Sequence, residues 1–458
     1  MFAWRQYVRV MLLFVAATAC AYSTELQDLP PDVGQSSPEQ EYWAQIEARN
    51  WAEAALAAQQ LVAIARNAGT TPPFDLAEAL TLLGNAQVAA RDYTAAEASF
   101  SEALLITQPY VVASSDKLLD PMRGMGYALA YAERHAQAIP YLERALLISR
   151  RTFGLFDMNQ QGLLRQLATS LRKVGLPLEA EQHMQYLVRV GEHTYGKRDP
   201  RMANIYDVLG DFYMEGAAVN SARRAYRQAL DVVERARGRN DLATVQPLRA
   251  YADSYRQELN LALFGIRAPD HQGRASVDVK SINPKLLSAD GERALKRALK
   301  ILDSDPSRPT SLLFDTLLDL GDWYMVKGDE KEALNHYRRA ASLLDDVEAD
   351  RNTAARAKLS FPVRVYYPIP ASALRNVNRP AAETEDAFVH VVFRVAADGT
   401  VKDERVLEAN ASERLIEDTV NAIRAARYRP KFSGGEPVET DEVSLRQIFK
   451  LRREREAG

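Results

Sequence analysis

A single cysteine, Cys20, stands in 458 residues, which excludes an intramolecular disulfide framework and a thiolate metal site. Histidine is nearly as scarce. The six, His135, His183, His193, His271, His336 and His390, show no HExxH or other ligand spacing. No G-x-S-x-G elbow and no P-loop occurs, so neither a hydrolase nucleophile nor a phosphate cradle is legible. Acid pairs such as Asp345-Asp346 and Glu417-Asp418 read as solvated helix faces. Net charge is small, −3, and gives no reason to expect nucleic acid or an acidic membrane as partner, although local basic stripes stay open. These absences point to a non-enzymatic chain with no cofactor and no metal.

Long apolar runs are also lacking. The run from Val10 to Ala21 has twelve residues, too few to span a bilayer comfortably. It follows basic Arg5 and Arg9 and precedes polar Ser23 to Asp28, the layout of a secretory signal over residues 1–22. Ala17-Thr18-Ala19 suits a general signal peptidase. With Cys20 the same residues resemble a lipobox, but the usual leucine three residues before the cysteine is missing. Simple cleavage and lipidation of Cys20 both stand as readings. Residues 23–40, with Pro30, Pro31 and Pro38, read as an extended tether.

What is present is periodicity. Leu80 to Ala103 reads as two short helices packed back to back, and the pattern returns every 42 residues. A small residue recurs at Gly84, Gly126, Ala168, Gly210 and Ala252, and another at Ala54, Ala96, Ala138, Ala180 and Ala222. Gly154 to Asp157, Gly196 to Asp199 and Gly238 to Asp241 repeat with the same step. The glycine suits a helix end and the aspartate suits the next helix start. A unit of this length cannot bury its own apolar face, so it stacks on its neighbours. The repeats run over residues 41–350. A turn-rich insertion at about 265–290 separates the helix near Gln246 to Leu263 from its partner at Gly291 to Leu302. A final unit carries Leu320, Gly321, Tyr324, Ala333, Tyr337 and Ala340.

After a linker at 351–366 the pattern changes. Val389, Val391, Phe393 and Val395 alternate with His390, Val392 and Arg394, Asp398-Gly399 signals a hairpin, and Val401 to Leu407 returns. Leu415, Ile416, Thr419, Val420 and Ile423 form a helical stripe, and Val443 to Leu451 a last alternating strand. Residues 367–458 are expected to form a small α+β domain.

Two resemblances follow. Leu83-Gly84, Ala96, Phe100 and Ala103, or Leu209-Gly210, Tyr213, Ala222, Tyr226 and Ala229, resemble tetratricopeptide repeats. The 42-residue step is similar to the kinesin-light-chain variety. Tyr367-Pro368, the Val389 to Val395 alternation, Asp398-Gly399-x-Val401 and Arg427-Tyr428-Arg429-Pro430 resemble the C-terminal domain of the TonB family. The expected fold is therefore mostly α: an α-solenoid of tetratricopeptide repeats followed by a TonB-like domain.

The first resemblance implies a groove lined by Arg123, Tyr127, Arg165, Arg172, Arg249 and Arg256. Of these, Arg123, Arg165 and Arg172 form a basic strip that suits a carboxylate or acidic peptide, or else they pair internally with Asp207, Asp211 or Asp253. The second implies strand pairing at the edge carrying Val443, Leu445, Gln447 and Phe449, unless that edge is merely solvated or covered. Together they imply a scaffold in the periplasm of a Gram-negative bacterium, binding protein or peptide partners and connected to an outer-membrane transporter. Membrane association would come through a Cys20 lipid or an uncleaved N-terminal segment. The alternative is an energy transducer for TonB-dependent transport. Against it stand the short apolar run without histidine, the missing proline-rich spacer and the inserted Asn376 to Glu385.

Overall fold

The computed structural model describes residues 37–263, 289–344, 354–374 and 384–452. The segment read from sequence as a signal, with Cys20, nearly all of the 265–290 insertion and most of Asn376 to Glu385 lie outside the described residues. The chain divides into two compact units, Met1–Lys197 and Arg198–Gly458.

The first unit is a succession of helix pairs. Its helices are α1 (Pro38–Ala48), α2 (Trp51–Ala68), α3 (Phe74–Ala89), α4 (Tyr93–Thr107), α5 (Leu119–Tyr131), α6 (His135–Phe153), α7 (Gln161–Lys173) and α8 (Pro177–Tyr195). Each packs on the next. The recurring small residues explain how closely they approach. Ala54, Ala96, Ala138 and Ala180 are fully buried, and a Cβ on Gly84 would lie 2.6 Å from Cε1 of Phe100.

The turns keep the period as strictly as the core. Arg49, Arg91, Glu133, Gly175 and, in the second unit, Ala217 each occupy the left-handed region, with φ of 61°, 67°, 60°, 88° and 59°. Only one of the five is glycine, so four turns hold a conformation that costs an L-residue roughly 1–2 kcal/mol. At the opposite junctions Ser115 and Asp157 accept from the backbone two residues on, at 3.3 and 2.6 Å, opening a 3₁₀ turn before the next helix. Asp241 does the same in the second unit at 2.8 Å, and Asp199 accepts from Arg201 at 2.8 Å in a turn that leads into the next helix. The predicted aspartate caps are therefore present.

The second unit continues the helix pairs with α9 (Met202–Glu215), α10 (Val219–Arg237), α11 (Val245–Leu263), α12 (Ala289–Ser304), α13 (Thr310–Lys327) and α14 (Glu330–Ala341). Helices α11 and α12 pack together as the register across the insertion requires. Strands follow: β1 (Val363–Tyr366), β2 (Thr384–Val395), β3 (Val401–Ala409), β4 (Arg427–Arg429), β5 (Lys431–Ser433), β6 (Glu436–Val438) and β7 (Thr440–Arg452), with α15 (Glu413–Ala425) between β3 and β4.

The main sheet is antiparallel in the order β3-β2-β7, covered on one face by α15. Val389, Val391, Phe393 and Val395 point into that core with Ile423, Leu445 and Phe449. Two smaller pairs, β1 with β4 and β5 with β6, complete the domain. Val363–Tyr366, read from sequence as the end of a linker, thus contributes a paired strand. The core of the last repeats runs without a break into this region, because Val365 and Phe432 join the cluster built on α10 to α14.

Candidate functional site

Strand β4 is the hinge between sequence motif and geometry. Its side chains alternate, as any strand's must. Tyr428 turns inward against Phe393, while Arg427 and Arg429 turn toward the last repeat. Arg429 is 8% exposed and Asp322 on α13 is 4% exposed, so their ion pair is out of solvent. Nε of Arg429 donates to Oδ1 at 3.0 Å and Nη2 to Oδ2 at 2.7 Å, the bidentate fork that arginine forms with carboxylates.

Asp322 serves more than Arg429. Tyr337 of α14 donates its hydroxyl at 2.8 Å, and Arg256 of α11 reaches the carboxylate at 3.4 Å. Burial alone would push the Asp322 carboxyl up. Arg429 and Arg256 outweigh it and hold the carboxyl below its ordinary range. Around this hub, Arg427 pairs with Glu330 at 3.2 Å, Arg338 with Glu436 at 2.8 Å, and the Phe432 amide donates to Leu359 at 2.8 Å. Met325 of α13 lies against the Gly399 turn, where a Cβ would meet its Cε at 2.8 Å. The strand domain is thereby clamped on the last repeat.

Strand β7 pairs with β2 along one side from Arg452 to Thr440. Among the described residues no strand pairs with its other side. The turn Ala371–Leu374 packs against it, and the Tyr367 hydroxyl donates to Gln447 at 3.0 Å. Of the four edge residues expected from sequence, Leu445 and Phe449 face the core and Val443 and Gln447 are half-buried. What β7 offers outward is its main chain, flanked by exposed Ser444, Arg446 and Ile448.

The six groove residues fall into two groups. In the second unit Arg249 donates to Asp319 at 2.7 Å, and Arg256 bonds Asp253 at 3.0 Å besides reaching Asp322. Both are held in internal ion pairs. In the first unit Arg123 sits beside Asp120 at 2.7 Å, and Tyr127 is buried on the same helix, its hydroxyl against Gly162. Arg165 and Arg172 stand half-buried on α7.

Sequence reasoning missed the hub at Asp322. One signal was available: Tyr226 donates to Asp211 at 2.9 Å across the same fifteen-residue step that joins Tyr337 to Asp322. Asp207 on α9 was read from sequence only as a pairing partner. Its residue is partly exposed, yet its Oδ1 is sealed with no hydrogen-bond partner. Burial, with Asp211 adding repulsion, pushes its carboxyl up to about 8. Among the described residues no group of three acidic, histidine or cysteine side chains could hold a metal, and no helix is long and apolar enough to cross a membrane.

Residues 379–451 match the family described as Gram-negative bacterial TonB protein C-terminal. The matched span takes in the sheet, α15 and the clamp on β4. Solved structures similar to the chain include proteins with TPR repeats. BtubC (BKLC) from P. vanneervenii is 16% identical, with 71% of this chain and 92% of that one covered and a TM-score of 0.35. Kinesin light chain nearly identical TPR-like repeats from Podosopora anserina are 15% identical over 44% of this chain and 99% of that one, with a TM-score of 0.40. The C-terminal part of a TPR repeat-containing protein from Cytophaga hutchinsonii is 12% identical over 69% and 97%, with a TM-score of 0.39. No curated protein matches the chain. A body of repeating helix pairs thus precedes a domain that matches the TonB C-terminal family.

Proposed function

We propose that the chain is a non-enzymatic scaffold of the cell envelope that accepts an extended segment of a partner along β7. The observation that carries this reading is an open strand edge on a domain held fast to a helical repeat. Main-chain bonds along β7 would supply affinity, and the exposed Ser444, Arg446 and Ile448 would supply selectivity. The family match supports an outer-membrane transporter as the source of that segment and the periplasm as the compartment.

A second partner would dock in the groove of the first unit, on Arg123, Tyr127, Arg165 and Arg172, through acidic groups. Cys20 would tether the chain if lipidated, and residues 367–458 would act as the delivered module.

Photo-crosslinkers placed at Ser444 and Ile448, with Glu404 on β3 as control, test this in an envelope fraction. Crosslinks to one extended segment at β7 and none at Glu404 are expected. Equal labelling at both edges contradicts strand pairing. The same family match favours a second reading, an energy transducer. That reading requires crosslinks from residues 1–22 to inner-membrane motor proteins, whereas the scaffold reading expects none.

A further inference from the structure

One rim of the first unit departs from its own repeat. The loop Gly154-Leu155-Phe156-Asp157 corresponds, one step on, to Gly196-Lys197-Arg198-Asp199, and two steps on to Gly238-Arg239-Asn240-Asp241. Where the sister loops carry charged and polar residues, this one carries leucine and phenylalanine. Leu155 is 58% exposed and Phe156 40% exposed.

The loop's backbone is fixed. Gln160 donates to the Gly154 carbonyl at 2.7 Å, Tyr186 to Leu155 at 2.6 Å and Thr194 to Phe156 at 2.8 Å. Phe156 also stacks on His193 at 4.0 Å. Every carbonyl of the turn is held inward while the apolar side chains stay out. The neighbouring loop adds Val112, 73% exposed, anchored where Arg144 Nε donates to Ala113 at 3.0 Å. Leu147, one helical turn beyond Arg144, is exposed as well.

Cations surround these tips. Arg150 lies over the Tyr186 ring at 4.4 Å and Arg189 over the same ring at 5.5 Å, beside the hydroxyl that holds Leu155. Arg151 is exposed one turn after Leu147. Among the nearby acids Asp157 caps the following turn and Glu192 pairs with Lys197, while Glu143 is exposed one turn before Leu147.

We propose that this rim seats on an anionic lipid surface. Leu155, Phe156 and Val112 enter the boundary between headgroups and acyl chains, and Arg150, Arg151 and Arg189 lie among the headgroup phosphates. A second copy of the chain would bring one arginine collar against another, which like-charge repulsion disfavours. The net charge of the whole chain hides this local asymmetry.

The test uses the full chain and vesicles of phosphatidylglycerol with phosphatidylcholine, or of phosphatidylcholine alone. Phe156→Trp, read as the difference from the parent's fluorescence, should shift blue and be quenched by brominated acyl chains in the anionic vesicles. Quenching should fall in high salt and in neutral vesicles. This local probe reports the rim even if the N-terminal segment also binds lipid.

The double variant Leu155→Lys with Phe156→Arg copies the sister loop, so the turn is expected to fold. It should weaken vesicle partitioning by about tenfold or more, measured with a chain cleaved after its signal. Phe156→Trp left in water on vesicle-bound protein would overturn the proposal. So would a double variant that abolishes self-association, or capture of an acidic protein, without changing lipid binding.

Discussion

Arg429 of β4 reaches out of its own domain to grip Asp322 of α13 through both carboxylate oxygens, at 3.0 and 2.7 Å. The grip reuses a bond of the repeats. Tyr226 finds Asp211 in an earlier unit, and Tyr337 finds Asp322 in the last one. There the aspartate gains an arginine from the following domain. A residue that braces one helix pair elsewhere thus becomes the anchor for the sheet.

Removing Arg429 leaves Asp322 buried with its charge only partly compensated by Arg256 and Tyr337. Arg429→Ala should destabilise the second unit by about 3 kcal/mol, the low end of the usual cost of breaking a buried pair. Urea unfolding followed by near-ultraviolet dichroism measures it. A change below about 0.5 kcal/mol would place the pair in the class of surface ion pairs.

Gly321→Ala should be as costly as a much larger change elsewhere. The new Cβ would lie 2.1 Å from Cε1 of Tyr337, a fully buried ring whose hydroxyl is tied to Asp322. Overpacking of this kind costs about 1–3 kcal/mol. Thermal unfolding of the single variant reads it directly, and an unchanged midpoint would show that the ring can move away.

Asp207 supplies a pH dependence. Its carboxyl is raised in the folded chain, so the native state holds a proton that the unfolded state releases. The associated stability is complete below the ordinary aspartate range and is lost as pH rises toward about 8. Asp207→Asn should therefore raise the melting temperature at pH 8 by several degrees and change it little at pH 4. Equal shifts at both values would show that the charge is not the cause.

Much of this fold was legible because the repeat writes itself in residues that tolerate few alternatives. The buried alanines and the aspartate caps at 157, 199 and 241 need their identities, and so they show in the sequence. The left-handed turns were harder to read. Arg49, Arg91, Glu133 and Ala217 adopt a conformation that glycine would have announced, held there by the helices on either side. Arg249 and Arg256 could not be sorted between groove and brace, because their partners Asp319 and Asp322 lie about seventy residues away and across the insertion. The edge of β7 was legible as an alternating strand. That its inward residues are Leu445 and Phe449, leaving main chain as the exposed element, needed the sheet order.

The most direct test of strand acceptance is amide hydrogen exchange along Thr440–Arg452 in the full chain, free and with the partner recovered through the Ser444 and Ile448 crosslinkers. Slowed exchange at alternate β7 amides, with Val401–Ala409 unchanged, is the result predicted. Bound partner with β7 exchanging as fast as in the free chain, or protection confined to β3, would contradict it.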